Sequence, residues 1–204
     1  MQSMTIAFSI ALAAGSAAAQ TTTFSEAGLG DFSDNPDAPT FLSFNAGTNS
    51  VSGDVVSSNL SSFSGGDGTG DRDFFNFTIG AGQELESIVL TDYPSGNTGF
   101  AAIFEGGTGQ NPSGLSGTVG DLNLILGSVL IGPTNVELLP DFGTPVSGVG
   151  IGFSGNLGPG TYTFVVQQTG PQFSPYTFEF GVTPAPGATA ALGLVGLAAT
   201  RRRR

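Results

Sequence analysis

The chain contains no cysteine, no histidine, no lysine and no tryptophan. Without cysteine there are no disulfides and no thiolate metal sites, which does not argue against export. Without histidine, nucleophilic catalysis of the Ser–His kind has no base. Without lysine, Schiff-base chemistry is excluded. The Gly-rich stretch 65–70 also lacks the lysine and the following helix of a phosphate-binding loop. A carboxylate-pair glycoside hydrolase needs only two acids, so composition leaves it as a remote alternative. Such enzymes line their clefts with Trp and Tyr, and here three Tyr are all there is of both. The expectation is a protein that is not an enzyme.

Positive charge is nearly absent as well. Arg201, Arg202, Arg203 and Arg204 are four of the five cationic residues in 204. The formal net charge is −11; with those four set aside, Arg72 alone faces sixteen acids, a net of −15. A body that acidic repels nucleic acid and anionic membrane surfaces and suits divalent cations. The 33 Gly and 12 Pro are incompatible with long helices. Seventeen Phe, within 39% hydrophobic residues, nevertheless supply one domain with a core.

The body carries the punctuation of an all-β protein: short apolar runs between Gly, Asn, Asp and Pro. Phe75, Phe77 and Ile79 alternate with Phe74, Asn76 and Thr78. Tyr162, Phe164 and Val166 alternate with Thr161, Thr163 and Val165. Tyr176, Phe178, Phe180 and Val182 alternate with Thr177 and Glu179. Period-two spacing places each set on one strand face. Further strands are expected around 51–56, 85–93, 100–104, 122–131 and 149–153, and 106–120 reads as a long surface loop. Strands 160–168 and 174–182 are expected to pair as a hairpin across Gly170-Pro171-Gln172-Phe173. Eight or nine strands with this spacing predict two packed sheets, a jelly-roll-like sandwich. The expected layout is a signal peptide over 1–19, a partly extended lead-in over 20–44, a sandwich over 45–182 and a terminal signal over 183–204.

Both ends read as addresses. Residues 6–14 are apolar and lead to Ala17, Ala18, Ala19 and Gln20, the pattern of a secretory signal cut after Ala19 by signal peptidase. Residues 1–5 carry no Lys or Arg, and the competing reading is a buried N-terminal helix. The run of alanines and the following Thr21, Thr22 and Thr23 favour the signal. At the other end stand Pro184, Ala185, Pro186 and Gly187, then an uncharged apolar helix-like stretch over 188–200, then the arginine cluster. That stretch is shorter than the roughly 20 residues of a comfortable span. Terminal Arg side chains can snorkel to extend it, and by the positive-inside rule they stay in the cytoplasm.

This tail resembles the PEP-CTERM sorting signal of bacteria that make exopolysaccharide: a Pro motif, a small apolar helix and terminal arginines. The family has Glu between the prolines and Ala185 stands there, a Pro-Ala-Pro-Gly variant. The resemblance covers about the last 22 residues and implies processing by an exosortase-type membrane protease. The competing reading is a membrane tail that is never cut. The body has a second resemblance. Gly70-Asp71-Arg72-Asp73-Phe74-Phe75-Asn76-Phe77-Thr78-Ile79, then Gly80-Ala81-Gly82-Gln83 and Leu85, resembles the prepeptidase C-terminal domain. Gly158-Pro159-Gly160-Thr161-Tyr162-Thr163-Phe164 and Tyr176-Thr177-Phe178 fit its closing strands. That resemblance covers about 45–182 and implies a sandwich that binds or adheres without catalysing; part of the family binds calcium or polysaccharide.

The sharpest site candidate is the loop Asp67-Gly68-Thr69-Gly70-Asp71-Arg72-Asp73. Asp67, Asp71 and Asp73 offer oxygens suited to calcium, a hard cation that takes about six to eight. Asp71 and Asp73 fall on one side if the backbone is extended. No Glu completes an EF-hand pattern. A solvated acidic turn with Asx capping explains the loop equally well, and Arg72 can neutralise one carboxylate. Asp31, Asp34 and Asp37 can reach the same ion if the lead-in folds back; the preferred reading is a solvated lead-in. The sequons at Asn59 and Asn76 read as chance. The expected function is a structural or adhesive protein of the cell surface or exopolysaccharide matrix. The alternative is a calcium-dependent carbohydrate-binding module with Tyr93 as an exposed stacking platform.

Overall fold

The computed structural model describes residues 20–56, 71–106, 125–132, 134–144, 150–168 and 172–185. Ten strands and two short helices lie among them. In chain order they are β1 (Thr21–Ser25), α1 (Glu26–Leu29), β2 (Thr40–Leu42), β3 (Gly47–Val56), β4 (Arg72–Ile79) and β5 (Gln83–Asp92). There follow β6 (Gly99–Glu105), β7 (Ile125–Ile131), β8 (Val136–Glu137), α2 (Leu139–Gly143), β9 (Gly160–Gln168) and β10 (Phe173–Pro184). They form two five-stranded sheets, β1-β3-β10-β5-β8 and β2-β4-β9-β6-β7.

The alternating residues face inward as their spacing requires. Tyr176, Phe178, Phe180 and Val182 of β10 meet Phe75, Phe77 and Ile79 of β4 and Phe164 and Val166 of β9 in one core. Phe164 packs edge-on to Phe178 and Phe180, with ring centroids 5.2 and 5.3 Å apart. Aromatic pairs prefer this geometry, with the positive ring edge on the negative face. The second sheet is also apolar on its other face, where Phe74, Phe100, Ala102, Phe104, Ile125 and Val165 cluster. Burial on both faces explains why β6 and β7 read as continuous hydrophobic runs.

Three expectations change. Strands β9 and β10 are not a hairpin. β9 lies between β4 and β6, and β10 between β3 and β5, so the connection crosses from one sheet to the other. Both are central strands with both ladders occupied, which leaves neither an edge for the other. The segment near 149–153 is not a strand. Its Ile151 and Gly152 amides donate to Ile125 and Leu126 carbonyls and cover that end of β7. The lead-in is not a separate piece: β1 runs parallel to β3 and β2 parallel to β4, so it edges both sheets. Its Phe32 and Leu42 belong to the core, and Phe24 and Phe44 pack against it.

At the far end β10 extends to Pro184, opposite Gln83, and the Ala185 amide donates to the Gly82 carbonyl. A proline is tolerated there because the pairing of β10 with β3 ends at Val182, so Pro184 is flanked by β5 alone, as on an edge strand. The expected signal peptide with Ala17 and Ala19, the residues Pro186 and Gly187, the apolar stretch and the four terminal arginines lie outside the described residues. So does most of the expected loop over 106–120. Among the described residues no helix is long and apolar enough to cross a membrane.

Candidate metal centre

Strand β4 begins with Arg72 and Asp73, and its period carries Asp73 to the same inner face as Phe75 and Phe77. A carboxylate thereby enters the edge of an aromatic core. Asp73 has no exposed surface, and neither of its carboxylate oxygens has a hydrogen-bond partner. Burying a charge without a partner is costly, so such a group keeps its proton or takes a cation.

The lead-in brings further acids to it. Ser33 bridges to Phe74, whose amide donates to the Ser33 carbonyl at 2.9 Å. The Arg72 amide donates to Asp34 Oδ1 at 2.8 Å. Glu26, which opens α1, is held from both sides. Its Oε1 accepts the Phe32 amide at 3.0 Å, and its Oε2 accepts the Asp54 amide of β3 at 2.8 Å. Gly53 makes room for this. A Cβ there would stand 2.8 Å from the Tyr176 hydroxyl oxygen and 2.9 Å from Glu26 Oε2.

Two sets of carboxylates result, Glu26 with Asp31 and Asp73, and Asp31 with Asp34 and Asp71. Within each set one oxygen from every residue lies within 4.8 Å of the others. Calcium bonds oxygen at about 2.3–2.6 Å, so ligands on opposite sides of one ion stand roughly 5 Å apart. The spacing therefore fits a hard divalent cation, and Asp31 is common to both sets. The orphaned, buried Asp73 supplies what a merely solvated acidic turn would lack.

The electrostatics agree with that crowding. Burial, with the charges of Glu26 and Asp71 adding, pushes Asp73 up to about 9, while the nearby Tyr176 hydroxyl pulls the other way. Burial, then Asp31, Asp34, Glu26 and Asp54, pushes Asp71 up to about 7. Glu26 is also raised by burial, against the two amides that hold it. The Tyr176 phenol, fully buried beside Asp73, is raised well above its ordinary value.

Of the acids expected at the site, Asp71 and Asp73 are brought together through Asp31, and Asp67 lies outside the described residues. Asp31 and Asp34 fold back beside β4, as the alternative reading of the lead-in required, and both remain exposed to solvent there. Asp37 stays apart in an Asx turn, its amide donating to Asn35 Oδ1 at 3.0 Å. Glu26 escaped the sequence reading. Its only signal is that it directly follows the Thr-rich run that becomes β1.

Tyr93 is also corrected. It is 4% exposed, with its hydroxyl 3.4 Å from Gln168 Oε1, so it is a buried wall and not a stacking platform. Asn76 is 2% exposed within β4, in keeping with its sequon being chance.

No protein-family model matches the chain, and no curated protein matches it. Among solved structures it is similar to the pre-peptidase C-terminal domain of collagenase from Bacillus anthracis. The identity is 14%, over 71% of this chain and 93% of that one, with a TM-score of 0.34. The two-sheet sandwich rests on the strand pairing described above.

Proposed function

We propose that this chain is an exported, non-enzymatic β-sandwich that serves as a structural or adhesive protein of the cell surface or exopolysaccharide matrix. It holds a divalent cation, calcium by the hardness of its ligands, between the lead-in and β4. The observation that carries the cation is Asp73, wholly buried with both oxygens unpaired and facing Glu26 and Asp31. What supports a binding role over catalysis is the lack of His, Lys and Cys. The terminal patterns support export by signal peptidase, transient anchoring in the membrane and sorting by an exosortase-type enzyme.

Two measurements test this. Calcium titrated into the chelator-treated protein is expected to bind with release of protons, because Asp73 must ionise to ligate. A flat calorimetric titration would remove the cation. The intact mass of the protein from its native cells is expected to lack residues 1–19 and the arginine tail. A retained tail in the inner-membrane fraction would overturn the sorting.

A further inference from the structure

Strand β1 starts at Thr21, so the bond expected to be cut on export, between Ala19 and Gln20, falls one residue before the sheet. Gln20 is exposed and precedes the strand, and its carbonyl accepts the Thr48 amide of β3 at 3.0 Å. That bond fixes the residue at the head of β1. Among the described residues its nitrogen and its side-chain carboxamide have no hydrogen-bond partner. Gly47 leaves space beside the nitrogen, from which a Cβ on that glycine would stand only 2.9 Å away.

A glutamine with a free α-amine carries a nucleophile and an electrophile on one residue. An α-amino group titrates at about pH 8, so part of it is unprotonated at neutral pH. N, Cα, Cβ, Cγ and Cδ are consecutive atoms, so attack of the nitrogen on Cδ closes a five-membered ring. The carbonyl that holds Gln20 to Thr48 is not among them. An exposed side chain closes such a ring without unpacking the core, and the gap left by Gly47 gives the nitrogen room.

We propose, resting on the reading that the chain is exported and cut after Ala19, that Gln20 becomes a pyroglutamate, a neutral lactam at the head of β1. In this step the Gln20 nitrogen bonds to Cδ and the Cδ–Nε2 bond breaks. Nε2 leaves as ammonia, taking the proton that the attacking amine gives up. Nothing is oxidised or reduced, and no co-reactant enters. The lactam removes the positive charge that cutting would otherwise add beside Arg72 on a body with sixteen acids. It also leaves no free amine for an aminopeptidase. β1 leads directly into Glu26, so the lactam protects the segment that brings this acid to the metal centre.

The test is the N-terminal peptide of the protein from its native cells, with free amines dimethylated before extraction so that only a lactam formed beforehand escapes the label. Tandem mass spectrometry is expected to find a peptide that starts at Gln20, unlabelled and lighter by one ammonia than the encoded sequence. Gln20→Glu has no ammonia to expel, and its peptide is expected to start at the same position with a labelled amine. A labelled Gln20 in the wild type overturns the proposal and leaves the export reading standing. An N-terminal peptide that begins elsewhere overturns both. Equal cyclisation of the wild type and of Gln20→Glu also overturns the proposal, because loss of ammonia would then not be the step.

Discussion

At the scale of single residues, Asp73 decides the chemistry. Its carboxyl keeps its proton up to about pH 9 in the folded protein, against an ordinary value of 3.8 in an unfolded chain. Between those values the folded state binds more protons than the unfolded one. Stability of the chelated protein must therefore fall as pH rises from about 4 toward 9. Asp71 adds to the loss until about pH 7. With chelator, the melting temperature is expected to drop by several degrees between pH 5 and pH 8. Saturating calcium is expected to restore about 5–10 °C at pH 8, as ligand at roughly a hundred times its dissociation constant does for a domain this size. Asp73→Asn, neutral at every pH, is expected to remove the Asp73 part of the chelated profile, leaving the smaller Asp71 part below about pH 7, and to abolish the calcium response. A calcium response that survives in the variant would remove Asp73 from the site.

The sequence made half of this site legible. Asp71-x-Asp73 leading into an aromatic strand announces an acid at the head of a buried face, because strand period alone fixes where it points. Glu26, Asp31 and Asp34 were not legible as partners. Their approach depends on short parallel pairings across long stretches of chain, which leave no local pattern.

At the scale of elements, the alternating aromatics of β4, β9 and β10 predicted their inner faces, because side-chain direction is a local property. Sheet membership is not local. β9 and β10 read as a hairpin, but each already has two neighbours, and adjacency in sequence gave way to pairing with β6 and β5. The lead-in strand β1 depends on a close approach that only glycine permits. Gly47 sits at φ 108°, and a Cβ on it would fall 2.3 Å from the Gln20 carbonyl oxygen. Gly47→Ala is expected to detach β1 from β3, collapsing amide-exchange protection over Thr21–Ser25 and leaving β9 protected. Unchanged protection of β1 would mean the pairing does not need that approach. In the core, Phe164 contacts the rings of Phe75, Phe142, Phe178 and Phe180. Phe164→Ala is expected to cost about 3–5 kcal/mol by urea denaturation, as large aromatic deletions do.

At the scale of the whole molecule, the lead-in joins fold to function. It supplies the outer strand of one sheet and of the other, two core side chains in Phe32 and Leu42, and the acids Glu26, Asp31 and Asp34. Burying a Phe or Leu contributes roughly 1.5–3 kcal/mol, against a total stability of about 5–15 kcal/mol. A chain trimmed to 20–185 is therefore expected to keep the calcium response and to melt within about 3 °C of the full chain. One trimmed to 45–185 loses core, edges and ligands at once. It is expected to melt at least about 10 °C lower and to show no calcium response. Thermal melts of both, with and without calcium, decide between an integral lead-in and a decorative one. If the shorter chain melted like the longer and still responded to calcium, the cation would have to be held by the body alone, and the site built on Glu26 and Asp31 would be lost.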